Sequence, residues 1–312
     1  MPIDLEFDES DAAFATSVRR LCGRWEERSQ GESTPNGALD RARWADLGDL
    51  GVFASTTPEG GGTPATMAAV MAELGRAFVP GPLVAVFAAV ELLPAELRSA
   101  VVSGDALVAF GHPPLIPWAP VADLFIELDG GHAWLAVVDG PVEPVQTLAG
   151  EPWGRCHLRR QLDLGSAGRA LAFANCALAA YLTGAGHALI ESAAGYAADR
   201  SQFGKAIGEF QAIAHPLAEC AVHLRAASTL TKIAAAALAE GSPSGETAAA
   251  TARVSATNAS LGAAYQAHQT FGAMGFAEAG PVGVRSALIR QLTLLPPAQS
   301  EVRAAVLSGV FP

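Results

Sequence analysis

From about Ser166 onward the sequence holds a helical period without a break: Leu171, Ala174, Leu178, Leu182, Ala185, Leu189, Ala193 and Tyr196 recur every three or four positions as one apolar stripe. A second helical stretch starts between Phe210 and Pro216 and runs to about Glu240. Gly241-Ser242-Pro243-Ser244-Gly245 interrupts it, and a third covers roughly 247–270. Long helices joined by short connections bury such stripes by lying against one another, so this part of the chain is expected to form an up-and-down bundle.

The residues before it read differently. Residues 8–30 open on a cap at Asp8 or Ser10 and place Phe14, Val18, Leu21, Cys22 and Trp25 on one helical face. Shorter helices are predicted over 38–48, 63–77 and 94–102, separated by Pro58-Glu59-Gly60-Gly61-Gly62 and Pro80-Gly81-Pro82. After Ser103-Gly104 come short apolar runs, 106–110 and 124–128, and Asp129-Gly130-Gly131 stands before the run 133–138 as a hairpin turn. The fold class expected is mainly α with a small β domain: an N-terminal helical domain over 1–103, a β domain over 104–165 and a C-terminal helical bundle over 166–312.

Composition narrows the functions. With half of its 312 residues apolar, the chain can bury a sizeable core in two or three units. Its 20 basic and 31 acidic side chains give a formal charge of -11, which repels phosphate backbones and anionic membrane surfaces, so no nucleic acid and no membrane is expected as a partner. The first residues contain no basic segment leading into an apolar run, and no stretch of about 18 consecutive apolar residues follows. A soluble, cytoplasmic protein is the expectation. Cys22, Cys156, Cys176 and Cys220 stand in no pair spacing, and His187, His215 and His268 have no orienting partner in the sequence, so neither a metal site nor a catalytic triad is expected.

One segment is far more specific. Residues 196–215, YAADRSQFGKAIGEFQAIAH, resemble the acyl-CoA dehydrogenase signature Y-x-x-x-R-x-Q-F-G-x-x-I-x-x-F-Q-A-I-x-H. Residues 269–276, QTFGAMGF, resemble that family's Q-x-x-G-G-x-G-F turn, and 44–75 resemble its N-terminal helical domain. The resemblance implies a helical domain, a β domain and a four-helix bundle, with FAD bound at a dimer interface and an acyl-CoA oxidised across its α and β carbons. It assigns cofactor contacts to Arg200, Gln202, Phe203, Gln211, Gln269, Gly272 and Gly275, facing the neighbouring subunit's FAD. The residue types suit cofactor binding. A guanidinium offers planar paired donors to a pyrophosphate, glutamines offer neutral hydrogen bonds, and glycines admit close backbone approach.

Two departures qualify the resemblance. The family's T-E-P-x-x-G-S-D and W-I-T segments are missing: Phe110-Gly111-His112-Pro113-Pro114 passes almost directly to 119–124, leaving a truncated β domain, and Trp118 sits between prolines. The carboxylate base that takes the α proton is missing as well. Alignment from the G-F turn brings Leu295-Pro296-Pro297 to the usual glutamate position, and counting back from Arg200 brings Ala174-Asn175 to the alternative one. Glu191, Glu278 and Glu301 read as solvated carboxylates, so no catalytic residue is assigned. The chain thus resembles the shortened, non-catalytic partner in heterotetrameric α2β2 acyl-CoA dehydrogenases of steroid catabolism. A catalytic subunit, an acyl-CoA substrate and an electron-transfer flavoprotein are its implied partners. The alternatives are a self-sufficient homomeric dehydrogenase with a relocated glutamate and a flavin-free interaction subunit.

Overall fold

The computed structural model describes residues 7–28, 38–277 and 280–310. Helix α1 (Glu9–Arg28) starts where the Asp8 carboxylate accepts the Asp11 N–H at 2.7 Å, so Asp8 is the cap. α2 (Arg41–Asp49) is capped by Asp40, and α3 (Pro64–Arg76) by a Thr63/Thr66 capping box with Pro64 in the first turn. α4 (Leu83–Leu92) precedes α5 (Ala95–Val102). The sequence pattern misses α4 because it is buried on nearly every side and therefore carries no amphipathic period.

Seven strands follow. β1 (Val108–Gly111), β3 (Leu124–Asp129), β4 (His132–Val138) and β7 (Leu158–Ser166) form one sheet in the order β1-β3-β4-β7, with β1 parallel to β3 and the other pairs antiparallel. β2 (Leu115–Pro117), β6 (Trp153–Arg155) and β5 (Glu143–Val145) form a second sheet. The β3–β4 hairpin turns at Gly130 and Gly131, both at positive φ, as the sequence predicts. The sequence pattern misses β2, only three residues long and hemmed by prolines, and the charged edge strand β7, which carries no apolar run. Ala109, Ile116, Ala119, Phe125 and Cys156 fill a small core in this region.

The bundle is built on α6 (Gly168–Asp199), α7 (Gln211–Ala239) and α8 (Gly245–Phe271). Two shorter helices, α10 (Gly283–Leu292) and α11 (Gln299–Val310), pack on α8 after a single turn α9 (Ala273–Phe276), so the fourth position is split by the loop at Leu295–Pro297. α6 is long and apolar enough to cross a bilayer, yet 89% of its most apolar window is buried inside the fold, which makes it the central core helix. α3 crosses α6 at backbone contact: a Cβ on Gly184 would lie 2.0 Å from the Ala72 carbonyl oxygen, and one on Gly75 would lie 2.0 Å from that of Tyr181. One continuous apolar core links α1, α3, α4 and the bundle.

Candidate functional site

α6 and α8 run in the same direction and α7 returns between them. Near one end Arg253 of α8 reaches Asn175 of α6; at the other Tyr196 stacks on Phe271 with ring centroids 4.4 Å apart. The C-termini of α6 and α8 and the N-terminus of α7 therefore meet at one end of the bundle, and the sequence-predicted residues are found there.

Arg200 ends α6 and is exposed, and its guanidinium makes no ion pair or hydrogen bond to any described residue. A hairpin follows, β8 (Ser201–Gln202) and β9 (Lys205–Ala206), whose turn residues Phe203 and Gly204 have φ of 55° and 82°. That geometry costs a non-glycine residue conformational strain, and it leaves the Phe203 ring 93% exposed. Gln202 is exposed and folds back to donate to the Ser201 carbonyl at 2.8 Å. Gln211 opens α7, whose cap residue Phe210 supplies no side-chain acceptor; the Ile213 N–H donates to the Phe210 carbonyl at 2.9 Å, and the N–H groups of Gln211 and Ala212 have no acceptor among the described residues. Gln269 is exposed on the last turn of α8, and Gly272 closes that helix at φ 57°, ψ −131°, a conformation reserved for glycine. Gly275 differs: it is buried, and a Cβ there would lie 3.0 Å from the His268 carbonyl oxygen, so its smallness serves packing within its own chain.

Beside these residues a groove of about 950 Å³ runs between α8 and α10, lined by Tyr265, His268, Gln269, Phe276 and Arg290 among others. Tyr265 and Arg290, which hydrogen-bond to each other, were missed in the sequence; the only signal was the position of Tyr265 one helical turn before Gln269. His268 does have an orienting partner: Ser286 donates to the Gly283 carbonyl, so the Nε2–H of His268 donates to Ser286 Oγ at 2.8 Å. The set offers the exposed Arg200 cation, neutral amide donors and apolar rings. It is equipped to bind an anionic, partly aromatic molecule, and among the described residues its lining holds no carboxylate.

The positions expected for a base lie toward the other end of α6. Asn175 is buried there, and its Oδ1 accepts from Arg253 Nη1 at 2.8 Å. Arg253 Nη2 donates to the carbonyls of Leu295 and Pro297 at 2.5 and 2.9 Å. Of the carboxylates considered as substitutes, Glu191 is paired with Arg76, whose hydrogen bond holds its carboxyl below the usual range. Glu301 lines a cavity of about 380 Å³ together with Asn175, Pro297, Glu246 and His112. Glu278 lies outside the described residues. Trp118 is only 2% exposed and packs with Phe110, Pro117, Leu295 and Pro296 around a void of about 20 Å³, so its indole is committed to the core. Among the described residues no group of three or more metal-ligating side chains occurs, and the four cysteines are free thiols.

Comparison with known proteins gives a consistent result. Residues 164–295 match the family model described as acyl-CoA dehydrogenase, C-terminal domain. The acyl-CoA dehydrogenase IpdE2 of Mycobacterium tuberculosis is 31% identical over 250 residues, covering 75% of either chain. Among solved structures, a variant of the Tcur3481–Tcur3483 steroid ACAD superposes with a TM-score of 0.83 over 97% of this chain and 98% of that one, at 20% identity. The ChsE4–ChsE5 complex from Mycobacterium tuberculosis gives 0.82 over 99% and 100%, at 21% identity.

Proposed function

The chain belongs to the acyl-CoA dehydrogenase family, and from that premise we propose that it is the non-catalytic subunit of an FAD-dependent enzyme that introduces an α,β double bond into a CoA thioester. The observation that carries this reading is the contrast between the two ends of α6. At one end Arg200, without a partner among the described residues, shares the bundle terminus with the N-terminus of α7, Gln211 and Gln269. At the other, the places expected for a base hold Asn175 and Pro296.

The residues at the bundle end fit the pyrophosphate and adenine parts of FAD, and this chain would hold them for a partner subunit. Arg200 would supply paired donors and charge, the N–H groups of Gln211 and Ala212 would reinforce them, and Phe203 would close over an apolar face. Bound FAD would supply the acceptor for the hydride leaving the β carbon while a carboxylate of the partner takes the α proton. Burying Phe203 in that interface would recover roughly 2–3 kcal/mol of apolar transfer energy that the isolated chain forgoes. A partner of the ChsE4–ChsE5 kind, an electron-transfer flavoprotein as oxidant, a steroid-derived acyl group and a cytoplasmic setting complete the proposal.

A self-sufficient enzyme is the second reading, favoured by one observation: Glu301 lines the same cavity as Asn175 and Pro297. To decide, the chain is purified alone and together with acyl-CoA dehydrogenases of the same genome, and visible flavin absorbance and acyl-CoA-dependent dye reduction are recorded. Colour and turnover only in a complex are expected. Flavin retention and turnover by the lone chain, abolished by Glu301→Gln, would establish the second reading instead, and a colourless, inactive complex would leave only an interaction subunit.

A further inference from the structure

Resting on the non-catalytic reading, we infer that Arg253 is a positioning residue that clamps both expected base positions of this chain around one buried cation and so keeps them unfit for proton transfer. Arg253 is 1% exposed. From α8 it reaches Asn175 on α6 and the carbonyls of Leu295 and Pro297, which flank Pro296. The two positions, far apart in sequence, are thus joined through a single guanidinium. No carboxylate of a described residue lies within ion-pair distance of it, and its Nε–H is buried without a partner among the described residues.

A cation buried against neutral acceptors is expensive to desolvate. Burial brings its pKa down to about 10, partly offset by the charge of Glu301, so it remains protonated near neutrality. Its consequence for catalysis is direct. A carboxylate placed at 175 would accept from Nη1 where the amide oxygen now does, and a cation at 2.8 Å stabilises the charged form. The carboxyl would become a weaker base than an ordinary one, although proton abstraction near neutral pH calls for a stronger one. At 295–297 the backbone carbonyls are already committed to Nη2, which fixes the course of the loop. Among the described residues the other titratable groups lining the cavity beside Asn175 are Glu246 of α8, Glu301 of α11 and His112 after β1.

The test is Asn175→Asp, a nearly isosteric change, followed by thermal unfolding of the full chain at pH 7 and below about pH 4, with Arg253 intact and as Arg253→Met. With Arg253 present the midpoint should rise by a few degrees at pH 7, and the gain should vanish on acidification as the new carboxylate is protonated. In Arg253→Met the same substitution should lower the midpoint, because it buries a charge without a counterion. Should Arg253→Met not fold, Arg253→Lys serves in its place and should retain only part of the gain. A lower midpoint at pH 7 with Arg253 intact, or an effect equal at both pH values, overturns the inference. Flavin binding and turnover by the lone chain would overturn the proposed function without moving these midpoints, so the two failures are told apart.

Discussion

Gly184→Ala is the sharpest test of how the bundle is held to the helices before it. The new Cβ would lie 2.0 Å from the Ala72 carbonyl oxygen and 2.8 Å from its carbon, whereas a relaxed carbon–oxygen contact needs about 3.3 Å. The obstacle is backbone in the middle of α3, so no side chain can swing aside and the two helices must part by roughly 1 Å. A gap of that size forfeits about a quarter to a half of the dispersion well for each atom pair at the contact, and Met67, Val70, Met71 and Leu74 of α3 are all fully buried. Overpacking of this kind costs about 1–3 kcal/mol, and the better helix propensity of alanine returns at most about 1 kcal/mol. A net loss of about 2 kcal/mol is expected, read as a lower urea midpoint at unchanged slope. Gly75→Ala meets the Tyr181 carbonyl oxygen at the same 2.0 Å, on the same crossing. One separation of the helices relieves both clashes, so the double variant should cost little more than either single one. Strict additivity, or a gain of about 1 kcal/mol in Gly184→Ala as propensity alone dictates, would refute the argument.

Three further outcomes follow from the structure. Arg200→Ala, in an exposed side chain with no partner among the described residues, should leave unfolding within about 0.5 kcal/mol of the parent while lowering the flavin content of the co-purified complex; full retention refutes its cofactor role. Glu151 is 1% exposed and burial pushes its carboxyl up to about 7, against hydrogen bonds from Gln291 and others that act the opposite way. The fold therefore favours the neutral acid. Its contribution, roughly 3 kcal/mol, is fully present below about pH 4.5 and is lost as the pH rises through 7. Glu151→Gln should flatten that slope in pH-dependent unfolding, and an unchanged slope would count against it. Finally, burial pushes the thiols of Cys22 and Cys176 up to about 12, so both should resist alkylation in the native protein, with the partly exposed Cys220 modified first as judged by peptide mass mapping.

What could be read from the sequence tracks what leaves a periodic or local signature. The stripe from Leu171 to Tyr196 marks α6, and the cap at Asp8 and the Gly130-Gly131 turn are visible because caps and positive-φ turns have fixed chemistry. α4 was invisible because a helix apolar on all sides has no period, and β7 because an edge strand facing solvent is written in charges. At the bundle end, Arg200, Phe203 and Gln269 are singled out only by the resemblance to the acyl-CoA dehydrogenase signature, since no periodicity or local chemistry marks them, whereas the packing role of Gly275 depends on the turn of α9 against His268. Arg253 carried no sequence signal: an arginine on an Ala-rich helix is ordinarily solvated, and only the approach of Asn175 and the loop after α10 shows that it is buried.

The two halves of the proposed site can be retained or lost separately because of where α6 places them. Asn175 and Arg200 stand near opposite ends of a 32-residue helix, so about 35–40 Å separates them at 1.5 Å per residue. Over that span α6 is gripped by α3, α7 and α8 along a continuous core, which fixes Arg200, the β8–β9 hairpin and the start of α7 whatever occupies the region around Asn175. Substituting a base there, or shortening the strands between β1 and β3, changes contacts near the first turns of the bundle and leaves its far end unmoved. Binding determinants that face outward from a rigid terminus need only the terminus. A proton-transfer site needs a carboxylate, a dry pocket and room for the substrate at one point, and under the proposed function this chain keeps Asn175, Pro296 and the buried Arg253 where that carboxylate would stand.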